Sequence, residues 1–198
     1  LSTALFGWII DLICLLAASR SGAHILRVSS PQDISLEKIQ NKIKSIEKEQ
    51  CSVPKWQGDN MNILIPMAGA GSRFQAAGYT FPKPLIDVNG KPMIQVVVEN
   101  LNIEGTYIFV VQKEHREKYN LDSLLSLIAP GCKIVETDGV TQGAACTTLL
   151  AKEYIDNDQP LMMANSDQFL EWNSNEFMYK MQEQKLDGGI VTFTATHP

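Results

Sequence analysis

A short apolar run that leads directly into a glycine turn is the feature that most constrains the fold of this 198-residue chain. Residues 62–67 (NILIPM) form the run, and the next five residues (AGAGS) are all small. A near-continuous apolar run is typical of a strand in a parallel sheet with both faces covered. The sequence therefore predicts a buried strand that runs into a loop.

Four similar runs follow, at 107–111, 133–136, 160–164 and 189–194. Helical patterns lie between or beside them, at 92–101, 115–128, 143–155 and 174–185. Alternating strands and helices predict an α/β fold with a Rossmann-like, doubly wound, mostly parallel sheet. Such sheets bind ligands beyond the carboxyl ends of their strands.

Charge divides the chain into two unlike parts. The net charge is −5, but residues 1–60 carry about +1 and residues 61–198 about −6. We therefore expect a helical N-terminal extension, or the tail of a preceding domain with a linker, over 1–60, and the α/β domain over 61–198. Because no basic stripe is present, the charge pattern argues against a nucleic-acid partner.

The N-terminal part predicts helices and no membrane anchor. Residues 1–19 are apolar, but Asp11 interrupts them, they have no basic start, and they fall short of the roughly 20 apolar residues of a spanning helix. Residues 33–49 have an amphipathic pattern, and 52–60 resemble a linker. The cysteines, of which Cys132 and Cys146 lie in the α/β part, form no CxxC pair, which favours reduced thiols in a cytoplasmic protein.

The glycine turn is followed by two cations. Gly69 and Gly71 let backbone N–H groups approach a phosphate or a base. Arg73 offers a fork of donors and Lys83, between two prolines, a compact charge, a combination that suits a triphosphate. Neither the dinucleotide-binding glycine motif nor the Walker loop fits the spacing. A simple strand-to-helix turn is the alternative for the glycines alone.

A carboxylate follows the fourth apolar run. Asp167 comes after 160–164, where a side chain at a strand's carboxyl end faces the ligand crevice and can hold Mg²⁺ through oxygen. The alternative is that Asp167 caps a following helix. Phe169 and Trp172 nearby could line a ligand site or pack in the core.

The ordered motifs GAGSRF (69–74), PKPL (82–85) and GKPMI (90–94) resemble the sugar-phosphate nucleotidyltransferase family, also called NDP-sugar pyrophosphorylases. The resemblance covers residues 61–198 and implies the nucleotide-diphospho-sugar transferase fold, truncated at its C-terminus. It implies that the glycine loop wraps the nucleotide, that Arg73 meets the leaving pyrophosphate and that Lys83 contacts the reacting phosphates. Gln142 and Gly143 resemble the family's Q-G-T-A element, which holds the base, although Ala144 replaces the threonine.

The predicted function is transfer of a nucleoside monophosphate from a nucleoside triphosphate to a sugar 1-phosphate, or a similar phosphomonoester, with Mg²⁺ as cofactor. The alternatives are a nucleotide-sugar-dependent glycosyltransferase and a non-catalytic nucleotide-binding module. A homo-oligomer is left open. The predicted catalytic residues are Arg73, Lys83 and Asp167, with Asp167 also the metal ligand. The predicted nucleotide-binding residues are Ala68, Gly69, Ala70, Gly71, Ser72, Gln142 and Gly143.

Overall fold

A computed structural model describes residues 60–71, 78 and 80–192, together with the backbone of 24–27. The chain divides into two compact units, one of residues 57–167 and one that combines 1–56 with 168–198. The helices predicted within 1–19 and 33–49, and all of the linker predicted at 52–60 except its last residue, lie outside the described residues. The predicted domain boundary after residue 60 stays a prediction.

Strands and helices alternate along most of the described chain. The strands are β1 (His24–Arg27), β2 (Asn62–Pro66), β3 (Asp87–Val88), β4 (Lys91–Pro92), β5 (Thr106–Gln112), β6 (Lys133–Thr137), β7 (Leu161–Met163) and β8 (Gln168–Glu171). The helices are α1 (Met93–Leu101), α2 (Lys113–Lys118), α3 (Leu121–Ile128), α4 (Ala144–Leu150), α5 (Lys152–Ile155) and α6 (Ser174–Glu183), with a 3₁₀ turn at Lys83–Leu85.

The sheet of the 57–167 unit confirms the predicted fold class. Its strand order is β6-β5-β2-β7, and all three pairings are parallel. The chain starts at β2, moves outward to β5 and β6, and then returns to the other side of β2 as β7. This reversal is the switch point of a doubly wound sheet, where a crevice opens beyond the strand ends.

Helices cover both faces of this sheet. On one face, Leu64, Ile108 and Val110 form a buried cluster with Ala151, at the junction of α4 and α5. Strand residues alternate between faces, so their neighbours Ile63, Ile65 and Phe109 are buried on the other face. There Val111 and Leu121 line one small cavity, which places α3 on that side. Burial on both faces explains the near-continuous apolar runs.

The predicted strand at 189–194 is wrong over its described part, because residues 189–192 form no strand. A strand is stabilised by pairing its backbone with a neighbour, and apolar composition alone does not provide one. In the same unit, β8 instead pairs antiparallel with β1, a pairing that the sequence did not predict. Both strands are only four residues long, so their patterns are weak.

Two predicted helices are interrupted. The helix predicted at 115–128 starts earlier and divides into α2 and α3, because Asn120 adopts a left-handed conformation with φ of 49°. The helix predicted at 143–155 divides at Ala151. Within the described residues, no helix has the length and apolarity that a bilayer crossing requires.

The unit that contains β8 has its own aromatic packing. Trp172 is buried, and its ring lies 5.6 Å from that of Phe177 on α6. Asn173 caps this helix by accepting a hydrogen bond from the Glu176 N–H at 3.1 Å. For Trp172, the structure therefore favours core packing over a role in lining a ligand site.

Candidate active site

Two loops leave the sheet side by side at the switch point. One follows β2 and contains the glycines, and the other follows β7 and ends at Asp167. The N–H of Met67 donates to the Val110 carbonyl at 2.8 Å, and the N–H of Ala164 donates to the Leu64 carbonyl at 3.0 Å. These bonds continue the parallel ladder and hold both loops at the carboxyl edge of the sheet.

Lys83 and Asp167, 84 positions apart in the chain, form an ion pair at this edge. Their side chains are 26% and 27% exposed, so both remain accessible to a ligand from solvent. The residues after Asp167 form strand β8, which rules out the alternative that Asp167 caps a helix. The pair places one cation and one carboxylate next to each other at this edge.

The prolines around Lys83 fix its backbone. Pro82 has φ of −58° and accepts a hydrogen bond from the Leu85 N–H at 2.8 Å, which closes the 3₁₀ turn. Pro82 and Pro84 line a small apolar cavity with His115 from α2. Burial lowers the pKa of His115 below its ordinary value of 6.5, despite the opposing effect of Glu114. Lys83 therefore projects from a segment that is packed against the end of the sheet.

The glycine loop passes directly beside this turn. Gly71 has φ of 60°, a conformation that side chains disfavour, and a Cβ added there would lie 3.9 Å from the Lys83 backbone nitrogen. Gly69 and Ala70 are exposed, whereas Ala68 is buried. The loop therefore connects the sheet to Lys83 and leaves its tip open to solvent.

The loop is held by a residue that the sequence analysis did not identify. The Gln112 side chain, at the end of β5, donates from Nε2 to the Ala68 carbonyl at 2.9 Å and to the Gly69 carbonyl at 3.3 Å. The sequence does contain a signal, since Gln112 is the first polar residue after a buried apolar run. Sequence alone does not indicate that its side chain reaches the neighbouring loop.

The predicted base-binding turn lies at the same edge, beyond β6. Gly143 has φ of 145°, and its carbonyl accepts hydrogen bonds from the hydroxyls of Thr141 at 3.0 Å and Thr147 at 3.2 Å. These hydroxyl oxygens are 2.5 Å apart. Gln142 is exposed at the tip of the turn. The turn is thus shaped by threonines on either side of it, and Ala144 lies at the start of α4.

Comparison with known proteins decides the family. The Nucleotidyl transferase family matches residues 63–198, which is most of the chain and includes both loops. The chain belongs to the nucleotidyl transferase family. This membership confirms the resemblance that the GAGSRF and PKPL motifs indicate.

Individual relatives match this chain over only part of their own length. The bifunctional protein GlmU of Methanocaldococcus jannaschii is 30% identical over 118 residues, covering 60% of this chain and 28% of that protein. Mannose-1-phosphate guanyltransferase of Saccharomyces cerevisiae is 30% identical over 141 residues, covering 69% and 38%. The chain thus spans well under half the length of these curated relatives.

One solved structure is also similar to part of this chain. The nucleoside-diphosphate-sugar pyrophosphorylase from Vibrio cholerae RC9 superposes with a TM-score of 0.46 and 26% identity. The match covers 54% of this chain and 48% of that one.

The structure brings some predicted site residues of this family member together. Lys83 contacts Asp167 and lies beside Gly71, which belongs to the same loop as Ala68 and Gly69. Ser72 and Arg73 lie outside the described residues, so their roles stay predictions. Gln142 and Gly143 lie apart from these residues, after β6, which is two strands away from β2. Thr141 and Thr147 hold their turn, whereas Gln112 holds the glycine loop.

Metal ligation within the described residues rests on the predicted ligand Asp167. Among residues 60–71 and 80–192, no three His, Cys, Asp or Glu side chains are grouped as a metal site would require. Asp167 is the predicted ligand in this part of the chain, and its carboxylate contacts Lys83.

Proposed function

We propose that this protein transfers a nucleoside monophosphate from a nucleoside triphosphate to a sugar 1-phosphate or similar phosphomonoester, and releases pyrophosphate. The observation that carries the proposal is the Lys83–Asp167 ion pair beside the glycine loop at the switch point. The names of the relatives support it, because they include guanyltransferases that act on mannose 1-phosphate.

The reaction needs positioning and charge neutralisation more than proton transfer. A phosphate oxygen of the sugar phosphate, already an anion, attacks the α-phosphorus of the triphosphate. The bond between the α-phosphorus and the bridging oxygen to the β-phosphorus breaks, and its electrons leave with pyrophosphate. Lys83 neutralises charge that develops on the phosphates, and Arg73 is proposed to do the same for the leaving pyrophosphate.

Mg²⁺ is the proposed cofactor, and Asp167 is the residue that would hold it. In nucleotide sites Mg²⁺ is commonly bound by one or two carboxylates and completes its coordination with substrate phosphates and water. One half-exposed carboxylate next to a lysine fits that arrangement. When bound, the ion supplies positive charge that offsets the charge of the triphosphate.

The remaining predicted site residues are proposed to bind the nucleotide. The loop from Ala68 to Ser72 is proposed to wrap the nucleotide, and Gln142 with Gly143 to contact the base. The proposed location is the cytoplasm, where thiols such as those of Cys132 and Cys146 stay reduced.

Pyrophosphate release tests the proposal. The protein is incubated with Mg²⁺, each nucleoside triphosphate in turn and a panel of sugar 1-phosphates. We expect release that requires both substrates. Transfer from a nucleotide sugar to an acceptor, with no such release, would favour the glycosyltransferase. Nucleotide binding without either reaction would favour the non-catalytic module.

A further inference from the structure

We propose that Gln112 is a positioning residue for the nucleotide: it sets the direction of the N–H groups in the glycine loop and thereby makes the loop an anion-binding surface. This inference rests on the proposed function, because it names how the same loop receives a triphosphate. It concerns a residue on a different strand from the motifs that identify the family.

The first step is the hydrogen bonding of the Gln112 side chain. A primary amide nitrogen carries two hydrogens, and Nε2 of Gln112 has two carbonyl acceptors, at 2.9 Å and 3.3 Å. The amide oxygen could not replace the nitrogen there, because carbonyls do not donate. The two loop carbonyls therefore determine the orientation of the amide group.

The second step is the geometry of the peptide bond. In a trans peptide, the carbonyl of one residue and the N–H of the next point in opposite directions. Because the carbonyls of Ala68 and Gly69 point towards Gln112, the N–H groups of Gly69 and Ala70 point away from it. Successive N–H groups that face one direction form a concave anion site.

The third step is the exposure of the loop residues to solvent. Gly69 and Ala70 are exposed, and an added Cβ at Gly69 would meet no atom within 4 Å. The residues that carry these N–H groups are thus accessible to a ligand, whereas Gln112 is partly buried. The backbone of Gln112 pairs with Thr137 in the ladder between β5 and β6, so the side chain projects from a rigid position.

Gln112 also occupies the N-cap position immediately before α2, but its side chain makes no capping hydrogen bond there. A residue at this position commonly satisfies the first N–H groups of its own helix. Here the side chain contacts the loop instead. This use of the amide supports a role in shaping the loop over a role in starting the helix.

The test measures binding of nucleoside triphosphates with Mg²⁺ to the 198-residue chain by calorimetry. Gln112→Met has similar size and no donor, and we expect roughly tenfold weaker binding with the urea midpoint lowered only slightly, so that the chain stays folded. Gln95→Met is the matched control. The Gln95 Nε2 also donates a hydrogen bond, to the Glu99 side chain at 2.9 Å, but this bond lies within α1 and away from the loop. The control should bind like the unmodified chain.

Two further measurements keep the inference falsifiable. Gln112→Lys retains a donor of similar reach and should bind within about threefold of the unmodified chain. In ¹⁵N spectra, the Gly69 and Ala70 amides should shift on adding triphosphate to the unmodified chain, and much less in Gln112→Met.

The outcomes separate the two proposals. Unchanged affinity and unchanged amide shifts in Gln112→Met would overturn the role of Gln112 and leave the proposed function intact. A tenfold loss in Gln112→Lys would contradict the donor argument. If the unmodified chain binds no nucleoside triphosphate, the proposed function is wrong, and the role of Gln112 is overturned with it.

Discussion

The two turns at the carboxyl edge of the sheet are stabilised in opposite ways. The glycine loop after β2 is held by Gln112, more than 40 positions away in the chain. The Gln142–Gly143 turn is held by Thr141 and Thr147, which are its own neighbours. The first turn therefore depends on the assembled sheet, whereas the second depends mainly on local sequence.

This difference matches the chemistry that we propose for each turn. The glycine loop must present N–H groups in register with Lys83 and Asp167, and those residues come from distant segments. The second turn must present a single exposed residue, Gln142, to a base. A locally built turn is sufficient for that task, because no charge from elsewhere has to be aligned with it.

The largest effect should come from the charges beside the glycine loop. Lys83→Met or Asp167→Asn should lower kcat by about 100-fold or more, because each removes charge stabilisation from the reacting phosphates. Pyrophosphate release under saturating substrates measures this. Lys152→Met and Asp156→Asn are matched controls, since this Lys–Asp pair is exposed and lies on and just after α5. Equal losses in the control variants would remove Lys83 and Asp167 from the proposed site.

The next effect concerns the stability of the locally built turn. Thr147 is buried, and Thr147→Val keeps its shape but removes a hydrogen bond to Gly143 and the contact with Thr141. We expect a loss of about 1–2 kcal/mol in the free energy of unfolding, measured in urea. Thr148→Val is the control, because the Thr148 hydroxyl bonds only within α4 and is less buried. A larger loss in the control would show that the turn does not depend on Thr147.

A smaller effect should separate the two turns by function. Gln142→Ala leaves the Lys83–Asp167 pair untouched, so kcat with the preferred nucleotide should change little. Discrimination between nucleoside triphosphates should fall by about fivefold, the equivalent of one hydrogen bond to a base. Ratios of kcat/KM across the four nucleotides measure this. An unchanged ratio would show that the base is selected elsewhere.

The smallest effect lies outside both turns. Arg116 joins α2 to α3 and β6 through hydrogen bonds to Asp122 at 2.9 Å and Glu136 at 3.0 Å. The bonds from Arg116 lower the pKa of Asp122 below its ordinary value of 3.8. Since the folded-state pKa is lowered, this stabilisation is present above pH 3.8 and is lost as the pH falls through the folded-state pKa.

Asp122→Asn should accordingly cost about 0.5 kcal/mol of stability at neutral pH, because the pair is largely exposed to solvent. The difference from the unmodified chain should shrink when unfolding is measured in acid. A difference that is constant across that range would mean that the carboxylate charge is not what stabilises this contact.

Local patterns predicted much of the parallel sheet. The four apolar runs at 62–67, 107–111, 133–136 and 160–164 all correspond to strands. In the two central strands, β2 and β5, burial on both faces explains the continuous apolar sequence. The same criterion failed at 189–192, where no strand forms, and it missed β8. Whether a segment pairs depends on which backbone lies next to it, and a single run does not contain that information.

Helix ends were likewise predictable only where they depend on neighbouring residues in the chain. The left-handed conformation of Asn120 divides α2 from α3, and Asn is one of the few residues that adopt it readily. Many asparagines are nevertheless helical, so the break could not be located from residue type. The predicted start of a helix at 174 is confirmed for α6, where Asn173 caps the helix by contacting its own neighbours.

The sequence by itself determined which segments along the chain become strands and helices in most of the sheet. It also determined the glycine loop after the first apolar run, Lys83 between two prolines, and Asp167 after the run at 160–164. Only the tertiary structure decided that Lys83 and Asp167 meet, and that the Gln112 side chain contacts the glycine loop. The physical reason is that parallel strands bring their carboxyl ends together across long stretches of chain. Contacts made there depend on strand order, which no local pattern records.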